Sequence, residues 1–144
     1  MAGSRALDLT MDPLIRFTVP FILGLLHLIG PVPADLGVHQ GQLSPCPSPA
    51  HCARQVWSVS DPTQALEGLA DQLSQAPRTA VVERSDTYLH ATCSSRLFGF
   101  VDDLELYADQ ERQQLQARSV SRLGDSDLGV NARRLEALHQ QLSS

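Results

Sequence analysis

Residues 88–131 read YLHATCSSRLFGFVDDLELYADQERQQLQARSVSRLGDSDLGVN, and their patterning decides the fold. Three segments in it alternate with the period of two that a half-buried strand requires. They are Tyr88–Ser95, Phe98–Ala108 and Leu115–Leu123. Phe98, Phe100, Leu104 and Leu106 share one row of the second; Leu115, Ala117 and Leu123 share one row of the third. The connections, a corner near Gly99 and the run Asp109-Gln110-Glu111-Arg112, are short enough for antiparallel neighbours. A β-branched segment, Thr79–Glu83, precedes them across Arg84-Ser85-Asp86-Thr87. The expected sheet is an antiparallel meander of about four strands.

Helical signals flank this meander. Asp61-Pro62 is an N-cap followed by proline at the first helical position. Ala65, Leu66, Leu69, Ala70 and Leu73 then recur at helical spacing, and Pro77 stops the run, so a helix is expected over 62–75. A final helix is expected from Ser126 or Asp127, with Leu128, Leu135, Leu138 and Leu142 as its apolar stripe. The fold class is therefore α+β in two layers, an antiparallel sheet with an N-terminal and a C-terminal helix packed on it.

The apolar rows are interrupted. Asp102 stands in the Phe98/Leu106 row, Ser119 and Ser121 in the Leu115/Leu123 row, and Asn131 in the stripe of the last helix. A buried carboxylate is costly unless paired or hydrogen-bonded. These groups should therefore meet one another, or an arginine among Arg96, Arg118 and Arg122. Two uses fit: a satisfied network that docks the last helix, or a small polar pocket. In the second case, the N-terminus of that helix offers free N–H groups to an anion, supplemented by Arg118 and Arg122. With His90, the candidate binding residues are His90, Asp102, Arg118, Ser119, Ser121, Arg122 and Asn131.

Composition removes whole classes of function. All 11 basic side chains other than histidine are arginine, which excludes a Schiff-base lysine and a phosphate-loop lysine. The net charge of −5 argues against nucleic acid as a partner. Asp102 and Asp103 are adjacent on a strand and point to opposite faces, so they are not a carboxylate pair. No GxSxG elbow or cofactor motif occurs, so no catalytic residue, cofactor or metal is assigned.

Residues 17–29, FTVPFILGLLHLI, form an apolar core behind Arg16, followed by Val32 and Ala34 in small-x-small spacing. This is the pattern of a secretory signal, with cleavage expected after Ala34. The alternative is an anchor retained through residues 14–34, although a spanning helix needs about 20 apolar residues. Asp8 and Asp12 weaken a positive n-region, and initiation at Met11 gives a tidier leader. Residues 35–60, rich in Gly, Pro and Ser, read as an irregular arm, and residues 61–144 as one α+β domain. In an exported chain, Cys46 and Cys52, six apart, suggest a disulfide. A metal site using Cys46, His51 and Cys52 is the rival. Cys93, within a strand pattern, reads as a small buried hydrophobe.

Three blocks carry a resemblance. They are Leu43-Ser44-Pro45-Cys46-Pro47, Tyr88-Leu89-His90-Ala91 with Ser95 through Asp103, and Arg118 through Asn131 in the pattern RSxSRxGxSDxGxNxxR. The chain resembles the bacterial and plastid domain-of-unknown-function family 1499 (DUF 1499), over about Leu36 to Leu138. Ala50-His51 departs from the family's usual Pro-Asn before the second cysteine. The resemblance implies an exported or membrane-attached protein and carries no activity. The resulting expectation is a non-enzymatic domain in the periplasm or thylakoid lumen. It would bind a partner protein or a small anionic ligand near a membrane. The alternatives are a hydrolase-like enzyme using His90, Asp102 and Arg118, or a small-anion site around Asp102, Arg118 and Asn131.

Overall fold

The computed structural model describes residues 29–144. The apolar leader up to residue 28, the start at Met11 and most of the 14–34 anchor lie outside the described residues. The first two strands, β1 (Val38–His39) and β2 (Gln42–Leu43), make a small hairpin of their own. The main sheet is built from β3 (Cys52–Ser58), β4 (Thr79–Arg84), β5 (Tyr88–Ser94), β6 (Val101–Asp109) and β7 (Gln114–Ser121). Its order is β3-β7-β6-β5-β4, with every neighbour antiparallel.

The α+β class stands, with five strands rather than about four. The added strand, β3, lies inside the stretch read as an irregular arm. Its register against β7 runs from Cys52 opposite Val120 to Ser58 opposite Gln114. Its sequence, CARQVWS, hides the strand because Arg54 and Gln55 break the apolar alternation. The first helix, α1 (Pro62–Gln75), thus follows a strand of the sheet rather than preceding the sheet. Its cap is as expected: Gln64 N donates to the Asp61 carboxylate at 3.0 Å, with Pro62 in the first turn.

The second helix, α2 (Val130–Leu142), starts later than the expected Ser126 or Asp127. Leu128 falls outside it, exposed and at φ 54°. The second strand of the meander also begins later, at Val101, leaving Phe98 and Phe100 exposed. The reason is local. Ser95 N donates to Phe100 O at 2.8 Å and Phe100 N donates to Ser95 Oγ at 2.9 Å, closing residues 95–100 into a turn. Gly99, at φ 66°, supplies the left-handed residue.

Both helices pack on one face of the sheet. Leu66, Leu69 and Leu73 of α1, with Leu135 and Leu138 of α2, cover Leu89, Leu104, Leu106, Leu115 and Ala117. Each such leucine contributes about 1.5–3 kcal/mol of apolar burial. Trp57 closes one edge and stacks parallel on His139, with centroids 5.1 Å apart. Residues 35–45 cross the opposite face, where Leu43 is buried. The Cys46–Cys52 disulfide ties this arm to the start of β3, with Cα atoms 5.5 Å apart, and uses both thiols of the rival metal site. Cys93 is a free, buried cysteine.

Candidate functional site

Alternation assigns the polar residues to two faces, and each face assembles its own cluster. On the helix face, Asp102, Ser119 and Ser121 continue the rows of Leu104 and Ala117, because Asp102 lies opposite Ser121 and Leu104 opposite Ser119. Asn131, in the first turn of α2, meets them and is buried. Its Oδ1 accepts from Ser119 Oγ at 2.6 Å and from Arg134 Nη1 at 2.8 Å. Its Nδ2 donates to Ser121 Oγ at 2.8 Å and to Asp127 Oδ2 at 2.7 Å. Arg134 Nη2 completes the cluster by donating to Asp102 Oδ2 at 2.8 Å. The Asp127 carboxylate also accepts from the N–H groups of Gly129 and Asn131, so the helix N-terminus already holds an anion. Burial pushes the Asp127 carboxyl up, but the Asn131 and Gly129 hydrogen bonds outweigh it and hold it below the usual carboxylate range.

The arm face carries the second cluster. Glu105 is buried; its Oε1 accepts from Tyr88 OH at 2.8 Å and Gly37 N at 2.7 Å, and its Oε2 from Arg118 Nη1 at 2.8 Å. Arg118 Nη2 donates to Asp35 Oδ2 at 2.7 Å. Gln116 accepts from Leu43 N at 3.0 Å and donates to Gly41 O at 3.2 Å. Sheet side chains thus satisfy the arm's backbone groups, which keeps a short irregular segment on a polar sheet face. Burial, then the Glu105 charge, pushes the Tyr88 hydroxyl well above its ordinary range.

Beside this lies a triad. Asp103 is buried and accepts from Arg122 at two points, Nε to Oδ2 at 2.8 Å and Nη2 to Oδ1 at 2.9 Å. His90 Nε2 is 2.7 Å from the same Oδ1. Burial pushes the Asp103 carboxyl up, but the Arg122 and His90 hydrogen bonds win and hold it low. The bonds to Asp103 in turn raise the Arg122 guanidinium. Above these groups is a cavity of about 510 Å³. Val32, Leu36, Val38 and Val82 wall it, Tyr88, His90 and Arg122 line it, and Glu83 contributes to its lining.

The family model described as "Protein of unknown function (DUF1499)" matches residues 38–142. The chain belongs to the DUF1499 family. No curated protein and no solved structure matches it. The match spans all five strands of the sheet and both helices, and it begins after Asp35 and Gly37 of the arm.

In this DUF1499 domain the candidate residues do not form one site. Asp102, Ser119, Ser121 and Asn131 come together under α2, whereas His90, Arg118 and Arg122 lie on the arm face. A site around Asp102, Arg118 and Asn131 is therefore not assembled, and the sheet separates Asp102 from His90 and Arg118. The arginine that meets Asp102 is Arg134 rather than Arg96, Arg118 or Arg122. The carboxylate that meets His90 is Asp103. The anion seat at the last helix is filled by Asp127, and Arg118 and Arg122 stand on the far face.

Sequence reasoning missed Tyr88, Asp103, Glu105, Asp127 and Arg134 as cluster members. Arg134 had a signal: it closes the NxxR end of the third block and sits one helical turn after Asn131. Asp103 and Glu105 had none, because residues opposite a core row normally face water. Among the described residues no group of His, Cys, Asp and Glu has metal-site geometry. No described helix is long and apolar enough to cross a membrane, and the disulfide fits an oxidising compartment.

Proposed function

We propose that this DUF1499 protein is a non-enzymatic binding domain acting on the exported side of a membrane, in a periplasm or thylakoid lumen. Its ligand is a small anion with an apolar body, seated in the cavity over His90 and Arg122. The observation that carries this reading is the pairing of four apolar walls with one oriented guanidinium. Asp103 holds Arg122 through Nε and Nη2, and Nη1 has no hydrogen-bond partner among the described residues. A preformed, mostly apolar cavity with a few fixed polar groups is the common form of a small-molecule site. The cationic edge selects a carboxylate or similar anion. Glu83 repels an anion from its own side.

Binding is favoured over nucleophilic hydrolysis because no Ser, Thr or Cys side chain lines this cavity. The one hydroxyl there, Tyr88, donates to Glu105 and resists ionisation. Placement beyond a membrane is supported by the leader pattern and the disulfide.

Calorimetric titration of the full chain with decanoate and with decanol tests the site. Decanoate should bind at least about tenfold tighter than the alcohol, as a charge-assisted hydrogen bond predicts. Val82→Asp, at an exposed wall position, should abolish that preference. Equal binding of acid and alcohol, or binding unaffected by Val82→Asp, would overturn the reading.

A further inference from the structure

The two ends of the sheet differ in kind. At one end the turns are polar: Ser85-Asp86-Thr87 joins β4 to β5, and Gln110-Glu111-Arg112-Gln113 joins β6 to β7. At the other, the β5–β6 turn presents Leu97 at 81%, Phe98 at 66% and Phe100 at 40% exposure. The loop after β7 runs beside this turn, since Arg122 N donates to Val101 O at 3.1 Å, and it presents Leu128 at 84% exposure. Large apolar side chains exposed on loops at one end of a sheet mark an interaction surface.

The path of the chain says what covers them. Gly30, at φ 77°, lies against the same loop, so close that a Cβ there would stand 2.9 Å from Leu123 Cγ and 3.0 Å from Arg122 Cβ. The chain therefore reaches the domain at its apolar end, directly after the run FTVPFILGLLHLI of residues 17–29. Arg96, exposed beside Leu97, is a side chain that can extend its guanidinium to lipid headgroups. Asp125 is the one exposed acid in these two loops.

We infer that in the chain that retains residues 17–29 this end of the domain sits in the interfacial layer of a lipid bilayer, with Leu97, Phe98, Phe100 and Leu128 inserted. The sheet then stands with its polar turns away from the membrane. This geometry does not depend on what the His90–Arg122 cavity binds.

The test uses the full chain added to phosphatidylcholine vesicles, with tryptophans introduced as Phe98→Trp at the apolar end and Glu111→Trp at the polar end. Trp57 is buried and serves as the internal reference. Lipids brominated high on the acyl chain should quench the added emission of Phe98→Trp by about half or more, the depth expected for an interfacial element. They should leave Glu111→Trp unchanged. Absence of vesicle binding, equal quenching at both positions, or quenching at neither overturns the inference. So does a blue shift of Phe98→Trp that grows with protein concentration without vesicles, which would mean that a second copy of the chain covers these side chains.

Discussion

Asp103 and Arg122 form a two-point ion pair inside the domain, with N–O distances of 2.8 and 2.9 Å and His90 on the same carboxylate at 2.7 Å. The pair reaches the apolar-walled cavity under the arm through Arg122, which lines it. It consequently affects both stability and the electrostatics of the proposed ligand seat.

Its pH dependence has a definite sign. The folded Asp103 carboxyl titrates below its unfolded value. Its contribution is fully present above about pH 4 and is lost as pH falls through the lower, folded value. Urea unfolding should show stability falling below about pH 4 in the natural chain. Asp103→Asn should be about 1–3 kcal/mol less stable at neutral pH, since it leaves the half-buried Arg122 without its anionic partner. Its acid slope should be shallower; an unchanged slope would show that Asp103 carries no linkage.

Asn131 is the hub that docks α2. Asn131→Ala leaves Ser119, Ser121 and Arg134 without their shared partner. The expected loss is about 2–4 kcal/mol, from several buried polar groups left unsatisfied at once. Denaturant midpoints measure it, and far-ultraviolet circular dichroism should show loosening of the last helix. A loss below about 1 kcal/mol would show that the cluster is not a dock.

Asp35 ties the arm to the sheet through Arg118 Nη2. Asp35→Ala should expose residues 35–45 to proteolysis at concentrations that leave the natural chain intact. Global stability should fall by about 1–3 kcal/mol, the range for a buried donor losing its acceptor. Cleavage mapped by mass spectrometry to other loops would contradict the assignment.

Thiol titration of the denatured, unreduced protein should find Cys93 alone. The paired change Cys46→Ser with Cys52→Ser should cost about 2–3 kcal/mol, because a loop this short restricts the unfolded chain modestly. Three reactive thiols in the unreduced protein would show that the Cys46–Cys52 bond is absent.

Much of the fold was legible. The cap at Asp61, the helix that follows it and the β4–β7 meander carried their own local chemistry, and the structure has each of them. β3 was not legible because its alternation is broken by Arg54 and Gln55, which are suited to an edge strand. The starts of β6 and α2 were misplaced because turn hydrogen bonds at Ser95 and Asp127 outcompete the apolar periodicity.

The sequence by itself determined which residues share a face. Alternation alone put Asp102, Ser119 and Ser121 together, opposite Asp103, and required that the buried ones find partners. It also suggested the cysteine pair, which the disulfide then decided against a metal site, and it carried the family resemblance. Only the tertiary structure decided which partners those are: Arg134 for Asp102, and Asp103 for His90 and Arg122. The physical reason is that periodicity records burial along one element. Pairing depends on how a helix and an arm from distant parts of the chain are laid on the sheet. The same charge that would be solvated on a bare strand becomes buried, and must be paired, once residues 35–45 cover it.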